Sequence, residues 1–184
     1  PTTLPGSLLV IGGGAIGVEF ASLYNDLGTD VTLVEAAERI TPAEDAEISS
    51  LAERSFKQRG IKVLTNSVVN FLEGAGEQAL ACIKGPGGEH QLKFDQVILA
   101  VGIQGNIEGL GLKSLGVKTE HSFLITDPFG KTNLAGLYAI GDVAGAPWLA
   151  HKASHEAIVC VEKIAGIEGI EPLKNCLLYT ANAA

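Results

Sequence analysis

Apolar residues run unbroken over residues 8–11, then recur every third or fourth place at Ile16, Phe20, Leu23, Tyr24 and Leu27, and cluster again over 31–34. This pattern predicts a buried strand, a helix whose apolar stripe faces the core, and a second strand. Gly28 is a natural terminator for that helix. A further helix is expected over about 45–59, with Ile48, Leu51, Ala52 and Phe56 inward and Gly60 at its end. Short strands are expected at 61–64 and 68–73. Residues 79–84 and 91–94 flank a GPGG loop, a hairpin-like arrangement. QVILAVG (96–102) reads as a strand covered on both faces. Beyond it lies a glycine-rich connector, then strands at 123–126 and, more strongly, 136–140. A helix is expected over about 149–165, with Ala153, Ala157, Val161, Ile164 and Ala165 inward and Lys152, Glu156 and Lys163 outward.

Gly12, Gly13 and Gly14 separate the first strand from the first helix, and Gly12, Gly14 and Gly17 have G-x-G-x-x-G spacing. Gly12 permits the tight turn, Gly14 lets backbone approach a pyrophosphate, and Gly17 lets the helix pack close to the sheet. The unpaired N–H groups and positive dipole end of the helix then face the phosphates. Glycine spacing alone is weak. Here it follows an apolar strand, opens a patterned helix and is answered by Glu35, 23 residues after Gly12. That context predicts a dinucleotide site in a Rossmann-like βαβ unit. Glu35 can accept hydrogen bonds from both adenine-ribose hydroxyls and would repel a 2′-phosphate, so NAD is expected rather than NADP. Arg39 reads as a solvated or loop-anchoring charge.

A chain of 184 residues, 46% hydrophobic, can bury its own core as one or two domains. Its net charge of −8 argues against nucleic acid or an anionic membrane as main partner. No apolar run reaches the ~18 residues of a membrane span. Cys82, Cys160 and Cys176 form no Cys-x-x-Cys pair, which indicates neither a zinc site nor a disulfide framework. A reducing compartment fits best. The chain lacks methionine, opens PTTLPGSLLV and closes NCLLYTANAA, so a piece of a longer protein is expected.

Asp142 lies just past the strand expected at 136–140, where open α/β sheets bind ligands. It reads either as a turn-capping aspartate or as a ligand group. The helix start at Leu149, Ala150 and His151, with N–H groups able to face an electron-rich ligand edge, favours a second cofactor surface. His151 and His155 have chelating spacing, but no third ligand accompanies them, and no metal is expected. With no G-x-S-x-G, acid pair or cysteine pair in a recognisable setting, no catalytic residues are assigned.

The stretches VIGGGAIGVEFASLYNDLGTDVTLVE, QVILAVG and TNLAGLYAIGDVAGAPWLAHKASHEA together resemble the dihydrolipoamide dehydrogenase family of flavoprotein pyridine nucleotide-disulfide oxidoreductases. The resemblance runs over about residues 4–170, and its last stretch is the most restrictive. It implies an oxidoreductase that oxidises protein-bound dihydrolipoamide, passing electrons through a redox disulfide and FAD to NAD. For NAD(H) it implies contacts from Gly12, Gly13, Gly14, Ala15, Ile16, Gly17, Val18 and Glu19, with Ile16 and Glu19 toward the nicotinamide. Glu35 would hold the adenine ribose, Val68 would flank the adenine, and Gly102 would allow close backbone approach. Asp142 would bind the FAD ribityl chain, and Trp148, Leu149, Ala150 and His151 would bring a helix start to the flavin ring.

The implied organisation is α/β: an NAD-binding domain at 1–102 with an antiparallel β insertion, an incomplete FAD-domain segment at 103–172, and a truncated start of an interface domain at 173–184. The implied partners are lipoyl domains of 2-oxo acid dehydrogenase complexes and a homodimer partner, in a bacterial cytoplasm or a mitochondrial matrix. The family's first FAD fingerprint, its Cys-x-x-x-x-Cys disulfide and its His-Glu acid/base pair are not found in these 184 residues. Residues 103–106 (IQGN) stand where the family usually has Arg-x-Pro-Asn. The chain alone is therefore expected to bind NAD(H), to hold FAD weakly or not at all, and to be inactive. An NADH oxidase or mercuric reductase type of flavoprotein, or a stand-alone NAD-binding sensor, is the alternative.

Overall fold

The first apolar run forms β1 (Ser7–Ile11), which is followed by α1 (Ala15–Asp26) and β2 (Asp30–Val34) in a computed structural model that describes residues 3–75 and 77–172. Next come α2 (Ala46–Gln58), β3 (Lys62–Leu64), β4 (Val68–Ala75), β5 (Gln78–Gly85), β6 (Gly88–Phe94) and β7 (Gln96–Leu99). All of these lie in one unit, Pro1–Gly102, and the rest of the chain forms a second, Ile103–Ala184. The expected interface-domain start at 173–184, with Cys176, lies outside the described residues.

In the first unit β3, β2, β1 and β7 form a parallel sheet in that order, with Leu8 opposite Val31 and Gln96. Alternate residues of β1 and β2 enter two different cores, which is why their sequences read as continuous apolar runs. Leu8, Val10, Val31 and Leu33 pack with Ala21 and Phe56 of the helices. Leu9 and Val34 pack on the other face with Ala81, Ile83 and Phe94. Those last three belong to an antiparallel sheet, β4-β5-β6, the expected insertion. Pro86 and Gly87 make its two-residue turn, between paired Gly85 and Gly88.

Both helices correct part of the predicted faces, while Tyr24, Ala52 and Phe56 pack on the core as expected. On α1 the inward residues are Gly17 and Ala21, with Val18 and Tyr24 against the core, while Ile16, Phe20, Leu23 and Leu27 are exposed. A Cβ on Gly17 would lie 1.8 Å from the Gly12 carbonyl oxygen, so the helix approaches too closely to admit a large side chain there. Both stripes satisfy a 3.6-residue period, and periodicity alone selects the bulkier one. On α2, capped by Asp45, the residues turned inward are Ser49, Ala52 and Phe56, and Ile48 and Leu51 are exposed. The buried Ser49 hydroxyl donates to the Thr41 carbonyl, which accounts for a polar residue on that face. On β7, Val97 and Ile98 enter the two cores as expected, but Leu99 is exposed.

The second unit departs further from expectation. The strand expected at 123–126 is a two-residue strand, β9 (Phe123–Leu124), paired with β8 (Thr119–Glu120). The strong strand expected at 136–140 forms only an isolated bridge between Tyr138 and Lys131. Among the described residues it pairs with no strand beyond that bridge, whatever its β propensity. A small core of Val117, Leu124 and Ala139 supports a 3-10 turn (Gly141–Ala144), and α3 (Ala150–Ile164) follows. Its predicted faces hold only in part: Lys163 is exposed and Ala153 and Ala157 are half-buried, as expected, but the other positions differ. Lys152 and Cys160 are the buried residues, while Val161 is 63% exposed and Ile164 is exposed as well.

Candidate functional site

Within the first unit the C-terminal ends of β1, β2 and β7 converge on a cavity of about 370 Å³. Adjacent parallel strands leave such a crevice beyond their carboxyl ends. Gly12, Glu35 and Val68 line it, together with Ser67, Ala100 and Val101. A Cβ on Gly12 would lie 2.3 Å from the Ala100 carbonyl oxygen, so this glycine permits contact between the turn and β7. Gly14 caps α1 with extended backbone and would meet nothing within 4 Å if given a Cβ. The space beside Gly14 is therefore open to a ligand. No side chain caps the first turn of α1, and no acidic residue occupies it. Its amide groups and dipole thus face that space unopposed.

Glu35 is fixed by backbone. One carboxylate oxygen accepts from Gly13 N–H at 2.5 Å, and the other from Ala37 N–H at 2.7 Å. Each ionised oxygen keeps acceptor capacity for a hydroxyl. The neighbouring Arg39 guanidinium is turned to Glu38 at 3.0 Å and to the Pro42 carbonyl at 3.4 Å, which makes it a loop anchor.

The other expected dinucleotide contacts fall into two groups. Gly13 and Gly17 are buried in the turn and helix, with Val18 against the core. Ala15, Ile16 and Glu19 lie on the exposed side of α1, and Gly102, also exposed, ends the unit just past Val101. Ala100 and Val101 escaped the sequence reading, although the order β2-β1-β7 would have pointed to them. Ser67, whose hydroxyl donates to the Thr65 carbonyl, carries no sequence signal that marks it.

In the second unit Asp142 is exposed on the 3-10 turn, and its carboxylate makes no hydrogen bond among the described residues. Trp148, Leu149, Ala150 and His151 lead into α3, whose first turn has no side-chain cap and no acidic residue. Trp148 packs on Phe123 with ring centroids 5.7 Å apart. The ring of His155 is engaged by its own helix, with Nδ1 2.8 Å from the His151 carbonyl oxygen. Beneath Asp142 lies an arrangement that sequence reasoning placed at the surface. Lys152 Nζ is 3.0 Å from Glu156 Oε1, 3.0 Å from the Gly145 carbonyl and 3.4 Å from that of Gly141.

The two buried thiols are chemically quiet. Burial, then the charge of Asp127, raises the Cys160 pKa above its ordinary value. For Cys82 the hydrogen bond to Glu89 does so first. Raised values leave little thiolate at neutral pH. Among the described residues no helix is long and apolar enough to cross a membrane.

A family profile described as pyridine nucleotide-disulphide oxidoreductase matches residues 1–157. Dihydrolipoyl dehydrogenase of Rhizobium etli is 53% identical over 173 residues, covering 94% of this chain and 36% of that protein. The enzyme of the same name from Zymomonas mobilis is 47% identical over 174 residues, covering 94% and 37%. LpdA of Mycobacterium tuberculosis superposes with a TM-score of 0.80 at 29% identity, over 94% of this chain and 37% of that one. The HOCl-induced flavoprotein disulfide reductase RclA of Escherichia coli gives a TM-score of 0.82 at 27% identity, over 94% and 39%. The chain thus spans just over a third of the length of the curated relatives it matches.

Proposed function

The chain belongs to the pyridine nucleotide-disulphide oxidoreductase family, and on that premise we propose that it is the NAD(H)-binding segment of a dihydrolipoyl dehydrogenase. The observation that carries the proposal is the cavity at the ends of β1, β2 and β7, where Glu35 lies beside an open glycine turn. The turn and the first amides of α1 bind the pyrophosphate by N–H donation and by the helix dipole. Gly14 leaves room for that approach. Glu35, already held by Gly13 and Ala37, orients the adenine ribose through its hydroxyls and rejects a 2′-phosphate by like charge. Val68 offers an apolar surface to the adenine, and exposed Ile16 and Glu19 are assigned to the nicotinamide end.

Asp142 and the uncapped start of α3, preceded by Trp148 and Leu149, fit a second, polar cofactor, FAD. The exposed carboxylate accepts from ribityl hydroxyls, and the amides of Ala150 and His151 favour negative charge next to them. When bound, FAD and NAD would supply the electron-pair transfer. A stand-alone NAD sensor would need neither Asp142 nor the polar support beneath it. To the whole enzyme we assign oxidation of protein-bound dihydrolipoamide, a homodimeric state, lipoyl-domain partners and a location in a bacterial cytoplasm or a mitochondrial matrix.

Parallel titration of the chain with NADH and NADPH, read by nicotinamide fluorescence, tests the proposal. Tighter binding of NADH is expected. Preference for NADPH overturns the role of Glu35, and binding of neither overturns the site.

A further inference from the structure

We propose that Lys152 and Glu156 are a positioning pair that fixes the Asp142 turn relative to the N-terminus of α3. This rests on the reading of Asp142 and α3 as a flavin surface. The ammonium of Lys152 has three N–H donors, and three acceptors surround it: the Gly141 carbonyl, the Gly145 carbonyl and Glu156 Oε1. The other carboxylate oxygen, Glu156 Oε2, accepts from Gly141 N–H at 2.7 Å. Every charge-bearing atom of the pair is therefore satisfied, as a lysine buried this deeply requires.

The bonds fall on the two residues that bracket the turn. Gly141 is held through both its N–H and its carbonyl, and Gly145 through its carbonyl, with Asp142, Val143 and Ala144 between them. Beyond the internal bonds of the 3-10 turn, Gly145 N–H closes it on the Asp142 carbonyl at 3.1 Å. Both glycines have positive φ, +71° and +101°, a conformation that other residues rarely adopt. The Asp142 side chain has no partner of its own among the described residues, so it is the backbone on either side of it that these bonds hold in place. Because Lys152 lies one residue past His151, the same bonds tie the turn to the first turn of α3. Two halves of one cofactor surface are thereby held at a fixed spacing.

Helix propensity does not account for the pair. With Lys four residues before Glu, its order is the less favourable one on an isolated helix. Its place is explained by what it holds.

The test uses the intact flavoprotein carrying this chain, with FAD as the probe, titrated by flavin fluorescence. Amide hydrogen exchange is read at Gly141 and Gly145. Lys152→Met with Glu156→Met leaves no unpaired buried charge. It is expected to weaken FAD about tenfold, roughly one strong hydrogen bond's worth, and to speed exchange at both glycines by a similar factor. Glu156→Gln keeps an acceptor for Gly141 and serves if the double variant does not fold; about threefold weaker FAD binding is expected. Lys152→Arg, which keeps the donors, should restore most of the affinity. Unchanged FAD affinity and unchanged exchange in a folded double variant or in Glu156→Gln overturn the pair's role. Asp142→Ala separates the two failures: if it leaves FAD affinity intact, the flavin reading falls, whereas exchange still reports on the pair.

Discussion

Each unit carries a Lys–Glu pair four residues apart on a helix, and the two pairs do different things. On α2, Glu53 and Lys57 meet at 2.6 Å on the surface, with the lysine side chain 55% exposed. On α3, Lys152 and Glu156 meet at 3.0 Å with the lysine side chain 7% exposed. The first has the order that stabilises an isolated helix, by about 0.3–0.5 kcal/mol. The second has the weaker order yet holds two backbone segments. The contrast extends to whole faces. The first unit closes its core with small or mixed residues on its helices, and leaves large apolar residues outside. The second turns Lys, Glu and Cys inward, and leaves Ile158, Val161 and Ile164 outside. Spacing identifies a helix and its stripes; the demands of what lies beneath decide which stripe is buried.

The largest effect is expected where a glycine holds the first unit together. Gly17→Ala places a methyl group against the backbone oxygen of Gly12, which cannot swing aside, and should destabilise that unit by about 3 kcal/mol. Denaturant unfolding measures it. Gly14→Ala in the same motif meets open space at a φ of −71°, so stability should change by less than about 1 kcal/mol. NADH affinity should nevertheless drop at least about tenfold, because the added methyl intrudes on the phosphate approach. If both variants lose stability equally, the division of labour within the motif is wrong. Lys152→Met comes next. Breaking a fully buried pair costs about 3–5 kcal/mol, but the Glu156 side chain is 24% exposed, and about 2 kcal/mol is the discounted expectation. Lys57→Met should change stability by no more than about 0.5 kcal/mol. Thermal melts of the two variants side by side would reverse the comparison if their order were exchanged.

How much of this was legible follows from where the information resides. The β1–α1–β2 unit, the turn at Gly12 to Gly14 and the answering Glu35 were readable because every level of the sequence agrees there. The insertion was readable from Gly85 to Gly88. The direction of α1 was not, since Ile16–Phe20–Leu23–Leu27 and Gly17–Ala21–Tyr24 are equally periodic. Only the clash at Gly17, a contact between non-adjacent residues, decides between them. Residues 136–140 have strand composition, but a strand needs a neighbour, and composition does not contain one. Lys152 reads as a surface lysine because its acceptors are main-chain carbonyls, which every sequence has.

Glu35→Ala removes the proposed ribose acceptor and the anchor of Gly13 and Ala37. NADH binding should weaken by about 2 kcal/mol, near thirtyfold, with NADPH nearly unaffected. A loss shared equally by both nucleotides would show that Glu35 supports the turn and does not select the cofactor. Smaller still are changes on the outward stripes. Leu51→Lys on α2 and Val161→Lys on α3 should each shift stability by less than about 0.5 kcal/mol, measured by denaturant midpoints. A large loss in either would mean that the face is covered in solution.

The smallest expected effect is on the acid side, at the start of the parallel sheet. Asp95 accepts from the Gln78 side chain at 2.9 Å and from Ser7 N–H at 2.8 Å, tying β7 to the start of β1. The Gln78 bond, then the Ser7 bond, holds its carboxyl below the ordinary aspartate value. A depressed folded-state pKa means that the unfolded chain binds the proton more readily. The stabilisation from Asp95 is therefore complete above the unfolded value, near 3.9, and is lost as pH falls through the lower folded value. Asp95→Asn should flatten that part of the pH–stability curve while leaving its slope above about pH 5 unchanged. In the second unit Lys152 and Glu156 bind main chain and also each other, so Glu156→Gln removes one charge of an ion pair and strands the other. Acid titrations of the two variants, followed by circular dichroism, distinguish a single carboxylate held by neutral donors from one half of an ion pair.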